Sequence, residues 1–438
     1  MKKIVVIGTG YVGLVSGAGL SDFGNNVTCV DISKKIIEDL NDEKIPIFEP
    51  GLVELINRNV KSGRLKFSTK ISEEIKSADV VFIAVGTPEN DDGDANLDSI
   101  SSVAKLIGES IKQYLVVCTK STVPVGTGNL ISTIITKFNI KKVKFDYVSN
   151  PEFLREGSAV NDFLWPDRVV IGAKSKQAFS IMKDVYRPLY INEKPILHTN
   201  IETAEMIKYA SNAFLALKIS YINEVANLCE KVGADVHLVT KGMGQDGRIS
   251  PKFLHPGPGY GGSCFPKDTK AFAVLAKKNG LSLKTIDASI EVNIHQKVKM
   301  FRKLSVLLKN NLSKKNIAVL GLSFKPNTDD IRESSSIVMI DSILKNKGSV
   351  NAYDPIANEK MKDIFPNINY HKSWQNACAG ADGAVIMTEW NEFRALDLEL
   401  LKNILKTPVI LDTRNILSIE KLKELKFSFD NIGRNTIK

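Results

Sequence analysis

One cysteine in a glycine-rich segment is the residue of this chain best suited to covalent chemistry. Cys264 lies in FLHPGPGYGGSCFPKDTK (253–270), whose glycines and prolines exclude a helix or strand core. Such a loop brings backbone amides close to a ligand and leaves a thiol accessible. If a helix starts there, its N-terminus and the nearby Lys267 would lower the thiol pKa and favour the nucleophilic thiolate. The alternative is a structural cysteine in a surface loop.

The other cysteines show no pattern that would hold a metal or a disulfide. These cysteines lie in apolar runs and form neither a CxxC pair nor a cluster with histidine. They are Cys29, Cys118, Cys229 and Cys378. Free cysteine in such a run usually behaves as a small buried hydrophobe. We therefore expect neither a disulfide framework nor a metal site.

A second glycine-rich segment, at the N-terminus, has the spacing of a dinucleotide-binding turn. Gly8, Gly10 and Gly13 follow a buried apolar run and open a helical pattern. The first glycine permits a tight turn, the second lets the backbone approach a pyrophosphate, and the third allows close helix–strand packing. Asp31 ends the next predicted strand, where it can accept hydrogen bonds from a ribose and repel a 2′-phosphate. This favours NAD, although Lys34–Lys35 leave NADP open.

The elements that must position these residues alternate between strand and helix. Buried strands are predicted at 3–7, 26–31, 80–85, 114–122, 145–149 and 168–172, with helices at 11–23, 99–111 and 128–138. Such alternation predicts a doubly wound parallel sheet. Residues 201–232 contain no proline or glycine and predict one helix of about 45 Å, with Asn200 as its cap and Gly233 at its end.

Strand–helix alternation restarts near Lys314 and continues to the end of the chain. The expected fold class is therefore α/β, with two Rossmann-like doubly wound domains joined by a long central helix. The expected domains are residues 1–198, 199–310 and 311–438.

Composition and charge exclude some classes of function. The formal charge is +10, but the lysines are scattered singly, without the basic tracts that nucleic-acid binding favours. They suit a solvated surface, and their field would attract anionic substrates. The N-terminal apolar run is broken by glycines before it reaches the length of a signal peptide, and no stretch approaches the ~20 apolar residues of a membrane span. A cytoplasmic enzyme is expected.

Nine motifs along the whole chain resemble those of the UDP-glucose/GDP-mannose dehydrogenase family. They are GTGYVG (8–13), PIFEPGL (46–52), VGTP (85–88), KSTVPVGT (120–127), NPEFLREG (150–157), ETAEMIKYASNAFLA (202–216), GPGYGGSCFPKD (257–268), GLSFKPNTDDIRESSS (321–336) and LDTRN (411–415). Within this family, the residues around Cys264 and in 321–336 are similar to the UDP-glucose branch.

The resemblance implies a four-electron oxidation. The C6 alcohol of UDP-glucose would give a hydride to NAD, Cys264 would add to the aldehyde, and a second hydride would leave a thioester that water hydrolyses to UDP-glucuronate. The same reaction on GDP-mannose or a UDP-N-acetylhexosamine is the alternative. A two-electron hydroxyacid dehydrogenase would need no cysteine, and a nucleotide-sugar-binding regulator would need no catalytic residues.

The resemblance also implies roles for further side chains. Lys208 and Asn212, four residues apart on the predicted long helix, would stabilise oxyanions at C6. Asp268, with a water and Lys208, would relay the alcohol proton, and Thr122 would position that water and the cofactor. Glu152 would be the general base for thioester hydrolysis.

The remaining implied contacts are with the two ligands and a second subunit. The predicted cofactor residues are Gly8, Gly10, Tyr11, Val12, Gly13, Asp31, Thr87, Thr122, Glu156, Lys267 and Arg332. The predicted substrate residues are Glu152, Phe153, Leu154, Arg155, Glu156, Lys208, Asn212, Phe253, Leu254, His255, Pro256, Gly257, Tyr260, Gly261, Lys325 and Arg414. The third domain has only Gly321 at its first turn, which suits UDP better than a second NAD. The resemblance and the apolar surface of the long helix suggest a homodimer, with no nucleic-acid or membrane partner.

Overall fold

The computed structural model of the chain describes residues 1–191 and 193–434. These residues divide into two compact units. The first is drawn from residues 1–211 and 274–280, and the second from residues 212–273 and from residue 281 to the end of the described chain. The predicted division into 1–198, 199–310 and 311–438 stays a prediction.

The first unit is built on an eight-stranded sheet of order β3-β2-β1-β4-β5-β6-β7-β8. Neighbouring strands are parallel except β6 and β7, an antiparallel pair that the alternating pattern did not indicate. The strands are β1 Lys3–Ile7, β2 Asn26–Val30, β3 Leu65–Ser68, β4 Val80–Ile83, β5 Leu115–Thr119, β6 Phe145–Ser149, β7 Val169–Ala173 and β8 Ile196–Thr199.

Helices cover both faces of this sheet, as parallel strands require. Successive residues of β1 point to opposite faces, so that Val6 joins one apolar cluster while Val5 and Ile7 join another. The helices are α1 Tyr11–Asp22, α2 Lys34–Asn41, α3 Leu52–Lys61, α4 Ile71–Ile75, α5 Asp98–Ser110, α6 Thr127–Phe138, α7 Ala159–Leu164, α8 Lys176–Val185 and α9 Arg187–Ile191.

The predicted long helix is confirmed as α10, Ile201–Val232. The side chain of Asn200 accepts the backbone N–H of Thr203 at 2.7 Å and caps the helix. Gly233 ends it with a φ of +77°, a left-handed conformation that favours glycine. The division between the units falls within this helix, after Ser211.

The second unit carries a parallel six-stranded sheet of order β11-β10-β9-β12-β13-β14. Its strands are β9 Asn316–Leu320, β10 Ser349–Tyr353, β11 Asn369–Tyr370, β12 Gly383–Ile386, β13 Val409–Asp412 and β14 Ser428–Asp430. The helices that follow α10 along the chain are α11 Val236–Gly244, α12 Phe265–Lys278, α13 Lys284–Leu307, α14 Ser335–Lys345, α15 Asn358–Lys362, α16 Trp374–Cys378, α17 Asn391–Arg394, α18 Leu398–Ile404 and α19 Ile419–Glu424. The predicted fold class is confirmed.

The two sheets begin with the same construction. After β1, the N–H of Gly8 donates to the carbonyl of Val30 at 2.8 Å, and after β9 the N–H of Gly321 donates to that of Tyr353 at the same distance. Both glycines have φ values near +100°, at +101° and +93°. In each sheet, an aspartate directly follows the second strand. The second unit therefore repeats the strand–turn–helix–strand start of the first.

Across the part of the chain described, no helix has both the length and the apolar character needed to cross a membrane.

Candidate active site

In the first unit, the predicted ligand-binding residues follow the carboxyl ends of neighbouring strands. Gly8 follows β1, Thr87 follows β4, Thr122 follows β5 and Glu152 follows β6. The strand order reverses between β1 and β4, and ligands of open α/β sheets bind at such a switch point. This edge of the sheet is therefore the candidate cofactor site.

The three glycines of the first turn have different surroundings. A Cβ on Gly8 would lie 2.6 Å from the carbonyl oxygen of Ala84, and one on Gly13 would lie 1.9 Å from that of Gly8. A Cβ on Gly10 would meet nothing within 4 Å. Packing therefore requires the first and third glycines, whereas the second leaves open space at the start of α1. That space fits a pyrophosphate on a helix N-terminus, beside Tyr11 and Val12.

Asp31 is held at the end of β2 with its carboxylate half-exposed. One carboxylate oxygen accepts the N–H and the hydroxyl of Thr9 at 2.9 and 2.8 Å, and the other accepts the N–H of Ser33 at 3.0 Å. These bonds fix the acid beside the glycine turn, as a ribose contact requires. The residues present fit NAD.

Asp31→Ala is expected to raise the Kd for NAD by about tenfold or more, since a charge-assisted hydrogen bond contributes ~1.5–3 kcal/mol. The affinity for the sugar nucleotide should change little. Calorimetric titration of each ligand measures both, with Glu38→Ala on the exposed face of α2 as the matched control. An unchanged affinity for NAD would overturn the assignment of Asp31.

Two of the predicted cofactor residues are in contact. The hydroxyl of Thr87 donates to the carbonyl of Thr122 at 3.0 Å, and the hydroxyl of Ser121 donates to that of Val85 at 2.6 Å. The segments after β4 and β5 are thus bonded to each other. This supports their shared assignment to the cofactor site.

A buried lysine that the sequence analysis did not single out supports the segment after β6. Lys120 donates to the side-chain oxygen of Asn150 at 3.2 Å and to the hydroxyl of Tyr186 at 3.2 Å. Asn150 also donates to the carbonyl of Val170 at 2.7 Å. Burial lowers the pKa of Lys120 to about 8. Its place at the end of a buried strand was the available clue.

Two of the predicted catalytic residues form a buried ion pair. The ammonium of Lys208 lies 2.9 Å from one carboxylate oxygen of Glu152, and both side chains are about 95% buried. The other oxygen of Glu152 accepts the N–H of Leu154 at 2.5 Å. Two cations lie close to the ring of Phe153, with Lys208 5.4 Å and Arg168 3.5 Å from its centroid. A charged pair this deep is stable only while both partners are present.

Other residues of NPEFLREG serve the fold in addition to any ligand. The Arg155 guanidinium pairs with Asp162, which raises the pKa of Arg155. Leu154 packs against the apolar core of the first unit. Glu156 lies close enough to Tyr11 for its charge to contribute to the raised pKa of that phenol. The substrate role predicted for Arg155 and Leu154 stays a prediction.

Glu205, one turn before Lys208 on α10, fixes the start of α6. Its carboxylate is 2% exposed and accepts the N–H groups of Gly126 at 2.7 Å and Gly128 at 2.9 Å. Burial raises its pKa to about 7, although the two N–H donors act in the opposite direction. The sequence analysis missed this residue, because its partners lie 77 and 79 positions away in the chain.

This pKa predicts a loss of stability with rising pH. Because the folded pKa of Glu205 exceeds the ordinary value of 4.5, its contribution is complete below pH 4.5 and is lost as the pH rises through about 7. The free energy of unfolding, compared with that of Glu205→Gln, should fall by on the order of 3 kcal/mol over this range. Denaturant unfolding at several pH values measures it, with Glu224→Gln, at an exposed position of the same helix, as the control. A difference that does not vary with pH would contradict the assignment.

In the second unit, Cys264 immediately precedes α12. The N–H of Asp268 donates to the carbonyl of Cys264 at 2.8 Å, so the first turn of the helix starts from the cysteine. A helix start here was a condition of the expected lowering of the thiol pKa, and α12 does begin at Phe265. The thiol is partly exposed, whereas the other four cysteines are buried, and none of these five described cysteines forms a disulfide. The Cys264 sulfur lies 3.5 Å from the Ser263 hydroxyl.

Asp268 is fully buried and held from two sides. Asn212 on α10 donates to one of its carboxylate oxygens at 2.6 Å, and the Lys267 ammonium donates to the other at 2.7 Å. Three predicted site residues thus come together one helical turn from the thiol. Lys267 is predicted to contact the cofactor, and it donates at least one hydrogen bond to Asp268.

Buried side-chain amides hold the glycine-rich loop that precedes the cysteine. Asn223 on α10 accepts the N–H of Gly257 at 2.8 Å, and Gln296 on α13 donates to its carbonyl at 2.9 Å. Asn293 both accepts from and donates to the backbone of Tyr260. The sequence analysis missed these three amides. Polar residues on the buried side of otherwise amphipathic helices were the only clue to them.

Several predicted substrate residues lie around Phe324. A Cβ on Gly257 would lie 3.4 Å from the guanidinium of Arg414, and one on Gly261 would lie 3.2 Å from Phe324. Arg414 donates to the carbonyl of Phe324 at 2.9 Å, and Lys325 lies with its ammonium 5.5 Å from the Phe324 ring. Two cations are therefore placed beside the loop, whose glycines let it pack closely against Phe324 and Glu333. Arg414 also pairs with Glu389 at 3.0 Å. A diphosphate suits such a place.

The other predicted residues of this loop differ in accessibility. Phe253 has a positive φ of +63°, and His255 is exposed. Leu254 and Tyr260 are buried, Leu254 within the apolar core and Tyr260 against Phe265. Pro256 is also buried. Leu254, Pro256 and Tyr260 can therefore offer a ligand mainly their backbone groups.

Arg332, predicted to contact the cofactor, also contributes to the loop. Its carbonyl accepts the N–H of Gly262 at 2.8 Å, and its guanidinium pairs with Asp330 through two nitrogens. Its cofactor role stays a prediction.

The acid that follows β10 is not available to a ribose. Asp354 corresponds to Asp31 of the first unit, but it is 1% exposed. One of its oxygens accepts the N–H groups of Leu322 and Ser323, and also the indole N–H of Trp390 at 3.1 Å. The second unit therefore keeps the turn of a dinucleotide-binding fold without its open acid.

Comparison with known proteins agrees with this division of roles. Residues 2–190 match the NAD binding domain of the UDP-glucose/GDP-mannose dehydrogenase family, residues 202–295 its central domain and residues 318–419 its UDP binding domain. The chain belongs to this family. The predicted membership and the predicted cofactor, NAD, are confirmed.

Several relatives within the UDP-glucose/GDP-mannose dehydrogenase family match nearly the whole chain. UDP-glucose 6-dehydrogenase of Rhizobium meliloti (strain 1021) is 47% identical over 99% of both chains. UDP-glucose 6-dehydrogenase TuaD of Bacillus subtilis (strain 168) is 45% identical over 100% of this chain and 94% of that protein. A solved UDP-glucose dehydrogenase from Pyrobaculum islandicum is 37% identical, with a TM-score of 0.93 and coverage of 99% and 98%. UDP-D-ManNAc dehydrogenase from Pyrococcus horikoshii is 27% identical, with a TM-score of 0.87 and coverage of 99% and 100%.

Proposed function

We propose that the chain oxidises the C6 alcohol of UDP-glucose to the carboxylate of UDP-glucuronate, using two NAD per sugar. The observation that carries the proposal is the partly exposed Cys264 at the start of α12, one turn from a buried Asp268 held by Asn212. The full-length relatives at 45–47% identity, which are UDP-glucose 6-dehydrogenases, support the choice of sugar.

NAD, when bound at the glycine turn of the first unit, accepts a hydride in each of the two oxidations. In the first, Asp268, through a water and Lys208, receives the hydroxyl proton while C6 becomes an aldehyde. Lys208 and Asn212 lie one turn apart on α10 and supply a cation and an amide donor for charge on the C6 oxygen.

The Cys264 thiolate then forms a C–S bond to the aldehyde carbon, and the carbonyl oxygen becomes the oxyanion of a thiohemiacetal. Loss of the second hydride from C6 re-forms the C=O bond and gives a thioester. Water next adds to the thioester carbon, the C–S bond breaks, and the thiolate leaves. Glu152 accepts the proton of that water.

The buried ion pair between Lys208 and Glu152 affects the step at which Glu152 can act as a base. Lys208 holds Glu152 before an oxyanion exists. Negative charge on the C6 oxygen offers the ammonium a second partner, which frees the Glu152 carboxylate to act as a base. Because charge develops on the C6 oxygen as water attacks the thioester, the base becomes available in the step that needs it.

The stoichiometry tests the proposed function. Limiting UDP-glucose with excess NAD is expected to yield two NADH and one UDP-glucuronate per sugar, measured by absorbance and mass spectrometry. One NADH with a released aldehyde or ketone would contradict the mechanism. A higher kcat/KM with GDP-mannose or a UDP-N-acetylhexosamine would instead transfer the mechanism to another sugar.

We also propose that the enzyme is a cytoplasmic homodimer. Phe214, Tyr221 and Leu228 recur every seven residues on α10 and are 60%, 49% and 62% exposed, an apolar stripe that a second copy would cover. A compartment that keeps thiols reduced suits the catalytic cysteine. Light scattering is expected to give twice the mass of the chain, and Leu228→Glu to give the monomer. A wild-type monomer would contradict the proposed assembly.

A further inference from the structure

The motif PIFEPGL has no part in the mechanism above, yet its glutamate is the centre of a buried network. Glu49 is 5% exposed and lies just before α3. One of its carboxylate oxygens accepts the hydroxyl of Tyr11 and the N–H of Gly157, the latter at 2.6 Å. The other accepts the N–H of Ala159 at 2.7 Å and that of Val160 at 3.4 Å.

These donors come from two different parts of the first unit. Tyr11 is the first residue of α1, inside the glycine turn where the pyrophosphate of NAD is placed. Gly157 ends NPEFLREG, the segment that carries Glu152, and Ala159 begins α7. The N–H of Gly157 also lies 3.0 Å from the Tyr11 oxygen. One carboxylate therefore joins the cofactor turn to the segment of the proposed base.

The chemistry of the pair fixes the direction of the bonds. Burial, together with the hydrogen bond to Glu49, raises the pKa of Tyr11 far above its usual range, so the phenol remains a donor. A carboxylate can accept several donors at once, whereas an amide at position 49 would turn an NH₂ group towards one pair of them. The acceptor oxygens of Glu49 therefore serve both sides of the network.

We propose that Glu49 is a positioning residue that couples NAD binding to the placement of Glu152. The inference rests on the proposed function, in which Glu152 assists thioester hydrolysis. Displacing the turn at Tyr11 moves the hydroxyl that donates to Glu49 and accepts the N–H of Gly157, and thereby moves the segment 150–157.

The test is Glu49→Gln, with Glu54→Gln on the exposed side of α3 as the matched control. The KM for NAD is expected to rise about tenfold, the effect of losing one or two charge-assisted hydrogen bonds. Thioester hydrolysis is expected to slow, so that a sugar adduct on Cys264 accumulates and is detected by mass spectrometry of the intact protein. Glu54→Gln should show neither change.

Tyr11→Phe removes one arm of the network and serves if Glu49→Gln does not fold. It should raise the KM for NAD while the acyl adduct remains at the wild-type level. The inference is overturned if Glu49→Gln behaves like Glu54→Gln in both the KM for NAD and the amount of adduct. It is also overturned if Glu49→Gln lowers the rate of every step and the melting temperature together, and no adduct accumulates. A wild-type enzyme that yields only one NADH per sugar overturns the proposed function instead, and calorimetric titration of NAD then still tests the Tyr11 side of the network.

Discussion

Replacing Cys264 with alanine is expected to stop sustained formation of UDP-glucuronate, with kcat falling by more than about a thousandfold. Without a thiolate, the aldehyde has no added nucleophile whose oxyanion can expel the second hydride. The fold should persist, because the thiol lies partly exposed before α12 and is not part of the core. Following NADH and both sugar products over time measures the effect.

Cys378→Ala supplies the matched control for this variant. Cys378 is fully buried in α16, so its replacement should cost stability but leave two NADH per sugar. If Cys264→Ala still produced two NADH per UDP-glucose at the wild-type rate, the covalent mechanism would have to be given up.

Lys208→Met is expected to reduce both activity and stability. It removes the proposed oxyanion partner, which should lower kcat by about a thousandfold, and it leaves Glu152 as an uncompensated buried charge at a cost of about 3 kcal/mol. Steady-state kinetics and denaturant unfolding measure the two effects. Lys231→Met, at an exposed position of the same helix, should change neither.

The double variant Lys208→Met/Glu152→Gln separates chemistry from folding. With both charges gone, and with the amide oxygen introduced at position 152 still able to accept the N–H of Leu154, most of the lost stability should return. Activity should stay at the level of the single variant or lower. Recovery of activity along with stability would mean that Lys208 serves only the fold.

The structural features that could be predicted from the sequence are those that residues close together in the chain determine. The limits of α10 are determined by neighbours in the chain: Asn200 caps the helix and Gly233 ends it. The position of Cys264 at a helix start likewise depends on adjacent glycines and on the apolar periodicity of α12. The limits of α10 were predicted correctly because a few consecutive residues determine them, whereas a helix start beside Cys264 was only a condition of the sequence argument.

The pairing of the site residues was not predictable in the same way. Lys208 with Glu152, and Asn212 with Asp268, are each separated by 56 positions, and only the folded chain brings them together. Family resemblance assigned these residues their roles but not their partners. Glu49, a single acid in a motif without evident chemistry, had no local feature that indicated its four donors.

Asp354 occupies the same place in the second unit as Asp31 in the first, but its side chain is buried. In the first unit, the acid that follows the second strand is Asp31, which stays partly exposed beside the glycine turn. In the second unit, Asp354 accepts the indole N–H of Trp390, so the acid at the end of the strand stabilises the fold instead of binding a ligand. Freeing this carboxylate for a ligand would leave the N–H groups of Leu322 and Ser323 without their acceptor, so a return to ribose binding would cost stability.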